Sequence, residues 1–434
     1  MARLVVHPAR EPLRGTVPAP PDARTAELAL LLGALSGARS VLRARGLPSL
    51  PMQAALTHLG LRVQREREEI AVEGHVSEPR AAIDGAGSLT CLAALAGLLS
   101  AQPFASELVG HDDVVRGGMA PVARVLRQRG AHIEGRLDPD RPREIAPPIR
   151  IEPARLSSTA CELTPREWPA KIALLMSGLF ADGETIISET MPGDDRAERL
   201  LAALGLPIEG AGPHLRLVGP VASIPPFDAA IPGDGELAAN ILLAGMAVPE
   251  SDVGVRDVGL SPARRGFLDA LGQAGARLMV EPKSERCGTP IADVRVLGAP
   301  AGRAIAISDE LGLRAGASLA ALAAMAAVVP VAGSESEIAD TTASNVAHVL
   351  AMLESFGIAA RASPRGIRVR AMERPLRAGV IRTEGDAAVA MAAVSLALGA
   401  EAPCVVDQAE SIVASFPRFV GSLRALGANI DVEP

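Results

Sequence analysis

Apolar positions along the chain come in two alternating kinds of run. One kind is apolar on nearly every side of a helix: Ala26 to Leu35 reads AELALLLGAL, and similar Ala/Leu-rich stretches recur at Leu92 to Leu99, Ala170 to Phe180, Leu237 to Met246, Ala315 to Val328 and Ala387 to Leu398. A helix without a polar stripe is buried all round. The other kind is amphipathic, closes on a glycine and continues as a short alternating strand. Its last copy, LRALGANIDV from Leu423, is preceded by ALTHLGLRV at Ala55, VLRQRGAHI at Val125, LLAALGLPI at Leu200, LGQAGARLMV at Leu271 and LAMLESFGIAA at Leu350. The glycines are Gly60, Gly130, Gly205, Gly275, Gly357 and Gly427, spaced by 70, 75, 70, 82 and 70 residues. A glycine suits a helix end where the backbone turns through positive φ, and β-branched residues suit the strand that follows.

The pattern therefore predicts six copies of one unit: buried helix, link, amphipathic helix ending at the glycine, then paired strands such as LRVQREREEIAVEG at Leu61 and RASPRGIRVRAM at Arg361. The last copy stops after its first strand, and the isolated apolar strand Arg3 to His7 is its expected partner. Prolines 8, 12, 18, 20 and 21 predict a stiff extended connection. The segment IPPFDAAIP at Ile224 to Pro232 separates copies three and four. The expected division is residues 1–19 with 230–434 as one domain and 20–229 as an inserted domain, with crossings near 17–22 and 224–232.

Length and composition agree with this. A chain of 434 residues with 48% apolar content exceeds the size of one hydrophobic core. The net charge of −7, one Trp, seven Phe and no Tyr argue against a nucleic-acid partner, which needs cations and stacking rings. Cys91, Cys161, Cys287 and Cys404 lie far apart without metal-ligand spacing. Neither a metal site, a disulfide framework nor a cofactor is expected. The N-terminus has charge and proline where a secretion signal needs an apolar core, so a cytoplasmic protein is expected. The run from Ala315 to Gly333 is long for a soluble helix, but it is Ala-rich, carries Ser318 and Pro330, and occupies the place of a unit's buried helix rather than a membrane span.

Several longer phrases carry a family resemblance. VRDVGLSPARRGFLDALGQAGARLMVE from Val255, ADVRV at Ala292, SGLFADGETIISE at Ser177 and IVASFPRFVGSLRALGA at Ile412 resemble EPSP synthase (3-phosphoshikimate 1-carboxyvinyltransferase) over essentially the whole chain. The related UDP-N-acetylglucosamine carboxyvinyltransferases match less well. The resemblance implies an α/β (α+β) protein: a two-domain inside-out α/β prism of six βαβαββ repeats, three per domain. It also implies a reaction in which the 5-hydroxyl of shikimate 3-phosphate adds to C2 of phosphoenolpyruvate and phosphate leaves. Two phosphates and two carboxylates must then share one cleft with several cations, a general acid and a base.

Position by position, most of the family's binding motifs are replaced. P-G-S-K-S-x-S-x-R becomes PPDARTAEL from Pro20, with Ala23, Arg24 and Leu28 at the Lys, Ser and Arg positions. N-A-G-T-x-x-R becomes GAGSLTC from Gly85, keeping Gly87 and Ser88 but placing Cys91 at the arginine. The next arginine aligns with Gly117, one step from Arg116. S-A-Q-V-K-S-A becomes EWPAKIA from Glu167 and retains Lys171, while S-R-D-H becomes GDDR from Gly193. The acidic motif survives as Ser308, Asp309 and Glu310, with Asp309 at the proton-accepting position. V-K-E-S-D-R-I becomes DTTASNV from Asp340, and D-H-R-x-A-M-A becomes DAAVAMA from Asp386. Only two of the 43 basic residues are lysines, Lys171 and Lys283.

Each remaining candidate has a structural reading beside its functional one. Asp309 is the candidate base, or with Glu310 a solvated acidic turn. Lys171 is a ligand contact, or a side chain reaching to a cleft edge from a buried helix. Ser88 is an anion ligand or a helix cap. Arg24, Arg116, Arg196 and Arg382 lie beside lost cations and could rebuild an anion site, or could be near misses in a chain of 41 arginines. The resulting expectation is a degenerate homologue, catalytically impaired or inactive, with a binding or regulatory role. Its ligand would be a small anion in the interdomain cleft or its partner another protein, and the chain would be a monomer. The alternative is an active transferase with a rebuilt anion site.

Overall fold

A computed structural model describes residues 3–138, 141–191, 193–273, 275–298, 306–307, 335–339, 343–364, 366–370 and 376–433. The chain divides into two compact units: Met1–Pro20, Gly233–Ser284 and Pro290–Pro434 form the first, Pro21–Pro232 with Glu285–Thr289 the second. Each unit has its own hydrophobic core.

The repeat is written in the backbone. All six glycines of the recurring phrase have φ between 71° and 105°. At Gly130 the space is also limited, because an added Cβ would lie 3.1 Å from the Arg155 carbonyl. Among the described residues there are six four-stranded sheets with one shared plan: a parallel edge pair followed by two antiparallel neighbours. In the second unit, for example, Ser157–Leu163 pairs in parallel with Asp182–Glu189, which pairs antiparallel with His214–Gly219, followed by Ile208–Ala211.

Three sheets borrow a strand from a distant part of the chain. Arg3–Val6 lies between Cys404–Asp407 and Ile430–Glu433, antiparallel to both, and so completes the last repeat. The proline-rich connection is more ordered than its composition predicts: Arg14–Pro18 is a parallel edge strand on Asp252–Gly259. Its edge position tolerates Pro18, because a missing N–H interrupts no central ladder. In the second unit Asp228–Ala230 serves Ser40–Arg43 in the same way.

Inside the sheets sit the Ala/Leu-rich helices Ala23–Ala34, Leu89–Leu99 and Trp168–Gly178 of the second unit, and Gly235–Ala247 and Ala387–Ala397 of the first. The stretch expected at Ala315 lies outside the described residues. Four of the five helices start alike, with a side-chain oxygen accepting orphan backbone N–H groups: Asp22, Ser88, Asp234 and Asp386 are the caps. The helix at Trp168 instead begins with proline at its first turn, after a short turn in which Thr164 and Glu167 bond reciprocally. Close approach between Leu89–Leu99 and Trp168–Gly178 depends on Gly97, where an added Cβ would sit 2.5 Å from the Ala173 carbonyl oxygen. No helix among the described residues is long and apolar enough to cross a membrane.

Candidate functional site

The sequence candidates are divided between the two units, and some lie outside the described residues. Arg24, Ser88, Lys171 and Arg196 belong to the second unit, at or near the N-terminal ends of its helices. Arg382 is exposed at the end of the strand Val380–Arg382 in the first unit. The Arg116 backbone lies in the helix Asp112–Gln128, and its side chain lies outside the description. Asp309 and Glu310 also lie outside the described residues.

Each of the four side chains in the second unit has a carboxylate beside it. Arg196 opens the helix Arg196–Ala203 and is 3% exposed. Its Nε donates to Asp22 Oδ2 at 2.7 Å and its Nη1 to Asp194 Oδ2 at 2.9 Å. Asp22 is shared between two tasks, since its other oxygen, Oδ1, accepts from the Arg24 and Thr25 backbone N–H groups and caps the first helix. Arg24 is the one partly open cation of the four positions, with its side chain 37% exposed. Its Nη1 lies 3.5 Å from Asp194 Oδ2, and its guanidinium lies over the Trp168 ring, 4.7 Å from the centroid.

Lys171 corrects the expectation of a side chain reaching to an edge. It is 1% exposed, and its Nζ donates to Glu189 Oε2 at 3.0 Å and Glu198 Oε1 at 2.8 Å. Burial alone would lower the lysine's pKa, but the charges of Glu198 and Glu189 more than reverse this and raise it. One ammonium cannot fully compensate two sealed carboxylates. Burial outweighs the attraction of Lys171 at Glu198 and raises its pKa to about 7. Glu189 Oε1 and Glu198 Oε2 are buried without a hydrogen-bond partner.

Ser88 does act as a cap, its Oγ accepting from Cys91 N at 3.1 Å. The same hydroxyl donates to Glu27 Oε2 at 2.6 Å. Burial raises the Glu27 pKa to about 7, against the opposing pull of Ser88 and Arg24. Cys91, in the place of the family's second-motif arginine, is fully buried, and burial and Glu27 push its thiol pKa well above its usual value.

Around these helix ends the retained cations are thus matched by acids. Arg24 and Arg196 face Asp22 and Asp194, while Lys171 faces Glu189 and Glu198. Motif comparison identified the lost cations and missed this second change. The acids were visible as Asp22 before the first helix and as the doubled aspartate in GDDR. Their partners were not, because Asp22 and Arg196 are 174 positions apart.

Comparisons with known proteins agree with the whole-chain resemblance. The profile of the EPSP synthase (3-phosphoshikimate 1-carboxyvinyltransferase) family matches residues 8–423. A 3-phosphoshikimate 1-carboxyvinyltransferase of Desulforudis audaxviator is 31% identical over 98% of this chain and 99% of its own, and one of Syntrophomonas wolfei is 29% identical over 97% and 99%. Among solved structures, EPSP synthase from Acinetobacter baumannii superposes with a TM-score of 0.84 over 100% of both chains at 24% identity. The enolpyruvyl transferase NikO from Streptomyces tendae gives 0.75 at 17% identity, covering 100% of this chain and 99% of its own. These two likenesses establish the shared α/β fold. With a profile match from residue 8 to residue 423, this chain belongs to the EPSP synthase family.

Proposed function

We propose that this member has kept the family fold but lost carboxyvinyl transfer, and that it works in the cytoplasm as a binding or regulatory protein, through a small anion or a protein partner. The observation that carries this reading is the pairing of Arg196 with Asp22 and Asp194 in a sealed environment. Binding phosphorylated substrates requires cations whose charge is available to the ligand. Here Arg196 and Lys171 already donate to carboxylates at 2.7–3.0 Å, so a phosphate would have to displace those carboxylates and leave them buried. Breaking one buried hydrogen-bonded charge pair costs about 2–5 kcal/mol. Two such displacements are comparable to the roughly 8 kcal/mol of a micromolar complex.

The test is direct. Purified protein given phosphoenolpyruvate and shikimate 3-phosphate should release no phosphate, and its gene should not rescue an aromatic auxotroph lacking EPSP synthase. Rescue would overturn the proposal.

A second reading, an active enzyme with a rebuilt anion site, draws on Arg24, which is partly exposed and whose ion pair with Asp194 is the longest of the set at 3.5 Å. On that reading phosphoenolpyruvate raises the melting temperature of the wild type, and Arg24→Ala removes the shift. On the leading reading the wild type shows no shift at millimolar ligand. Asp194→Asn, which removes one competing carboxylate, should then improve anion binding by about tenfold, roughly 1.4 kcal/mol.

A further inference from the structure

Trp168, the only tryptophan of the chain, lies at the end of a continuous path of contacts. Its ring is covered by Arg24, Arg24 faces Asp194, and Asp194 accepts from Arg196, the first residue of the helix Arg196–Ala203. Two residues further along that helix is Glu198, held by Lys171 together with Glu189. We propose that the Lys171–Glu189–Glu198 trio is a proton-operated latch: with a proton on Glu198 the Arg196–Ala203 helix is held down, and loss of that proton to solvent loosens the helix and releases Arg24 from Trp168.

The geometry supports this in three ways. Lys171, Glu189 and Glu198 side chains are exposed by 1%, 1% and 8%, so a surplus charge among them has little water to stabilise it. A single ammonium serves both carboxylates. Each carboxylate also keeps one buried oxygen with no partner, and such an oxygen costs most when it is charged. With Glu198 neutral, Lys171 and Glu189 balance; with Glu198 ionised, one negative charge is left sealed in the core.

Among the described residues, Lys171 is the cation bonded to Glu198. Asp195, just before the helix, raises its pKa further. Arg199 on the same helix bonds Asp195, and Arg196 bonds Asp22 and Asp194. From the first helix come Arg24, paired with Asp194, and the acid Glu27; on the strand Ile208–Ala211 the charged group is Glu209, bonded to Arg216.

Trp168 emission of the full-length protein, followed from pH 5.5 to 9, tests the latch. The wild type should show a step near pH 7, and Glu198→Gln, which keeps the shape and removes the charge, should abolish it. The same variant should melt higher than the wild type at pH 8.5, by roughly 3–10 °C, with the difference shrinking as the pH falls and closing only below about pH 4.5, where the unfolded carboxyl is protonated too. Glu27→Gln should leave the step in place. A flat wild-type profile, a step that survives in Glu198→Gln, or one lost in Glu27→Gln would each overturn the proposal. If Glu198→Gln does not fold, amide exchange of residues 196–203 in the wild type decides: protection lost at pH 8.5 relative to pH 5.5 supports the latch, and equal protection overturns it.

Discussion

Arg196 donates to Asp22 at 2.7 Å, with both side chains almost completely sealed from solvent at 2% and 0% exposure. The aspartate caps one helix and the arginine begins another, so a single ion pair joins the entrances of two helices of the second unit. Its likeness to an occupied anion site is chemical: a carboxylate of the chain stands against a guanidinium that could otherwise bind a ligand.

Removing one half of that pair should be costly. Asp22→Asn keeps a cap acceptor but leaves Arg196 with less than its full compensation, and about 3 kcal/mol of stability should be lost. Asp22→Ala should lose about 1 kcal/mol more, through the cap. Urea denaturation of both variants measures the difference.

Arg129 carries a second prediction, this time without a carboxylate in its set of bonds. It is fully buried and donates to the Leu174 carbonyl, Ser177 Oγ and Thr185 Oγ1 at 2.9, 2.6 and 2.8 Å. Burial lowers its pKa to about 10. Arg129→Ala would strand those acceptors in the core and leave a void. A loss of about 3–5 kcal/mol is expected, read as a lower urea midpoint with little change in slope.

Stability should also depend on pH through Glu27, whose folded pKa burial pushes up to about 7 from its ordinary 4.5. A carboxyl that holds its proton more tightly when folded contributes stability that is complete below pH 4.5 and lost as the pH rises through about 7. The contribution is on the order of 3 kcal/mol. Glu27→Gln should flatten this part of the profile and stabilise the protein at pH 8 relative to the wild type. Melting curves between pH 4 and 8 give the slope.

Close packing gives the last prediction. Gly97→Ala forces a methyl group to within 2.5 Å of the Ala173 carbonyl oxygen and 3.0 Å of Met176 Cβ, although the glycine is in an ordinary helical position. The two helices must move apart, at about 1–3 kcal/mol. A melting temperature equal to that of the wild type would show that the contact is looser than described.

The sequence by itself determined the repeat. Glycines that need positive φ, helices apolar on every side and the strands after them are local properties, and they were legible wherever the chain is described. Even the N-terminal strand could be assigned, because the last copy stops one strand short and Arg3–His7 has no neighbour of its own. The absence of the family's cations was equally legible, since it is a matter of which residue stands at a motif position. What only the tertiary structure decided is the charge environment of the cations that remain. Lys171 looked like a side chain leaning toward an edge, yet it is held by glutamates 18 and 27 positions away. Arg196 looked like a spare cation and is neutralised by an aspartate from the start of the unit. Backbone preferences act over a few residues, whereas an ion pair depends on which helix ends the fold brings within 3 Å and on how much water it leaves between them.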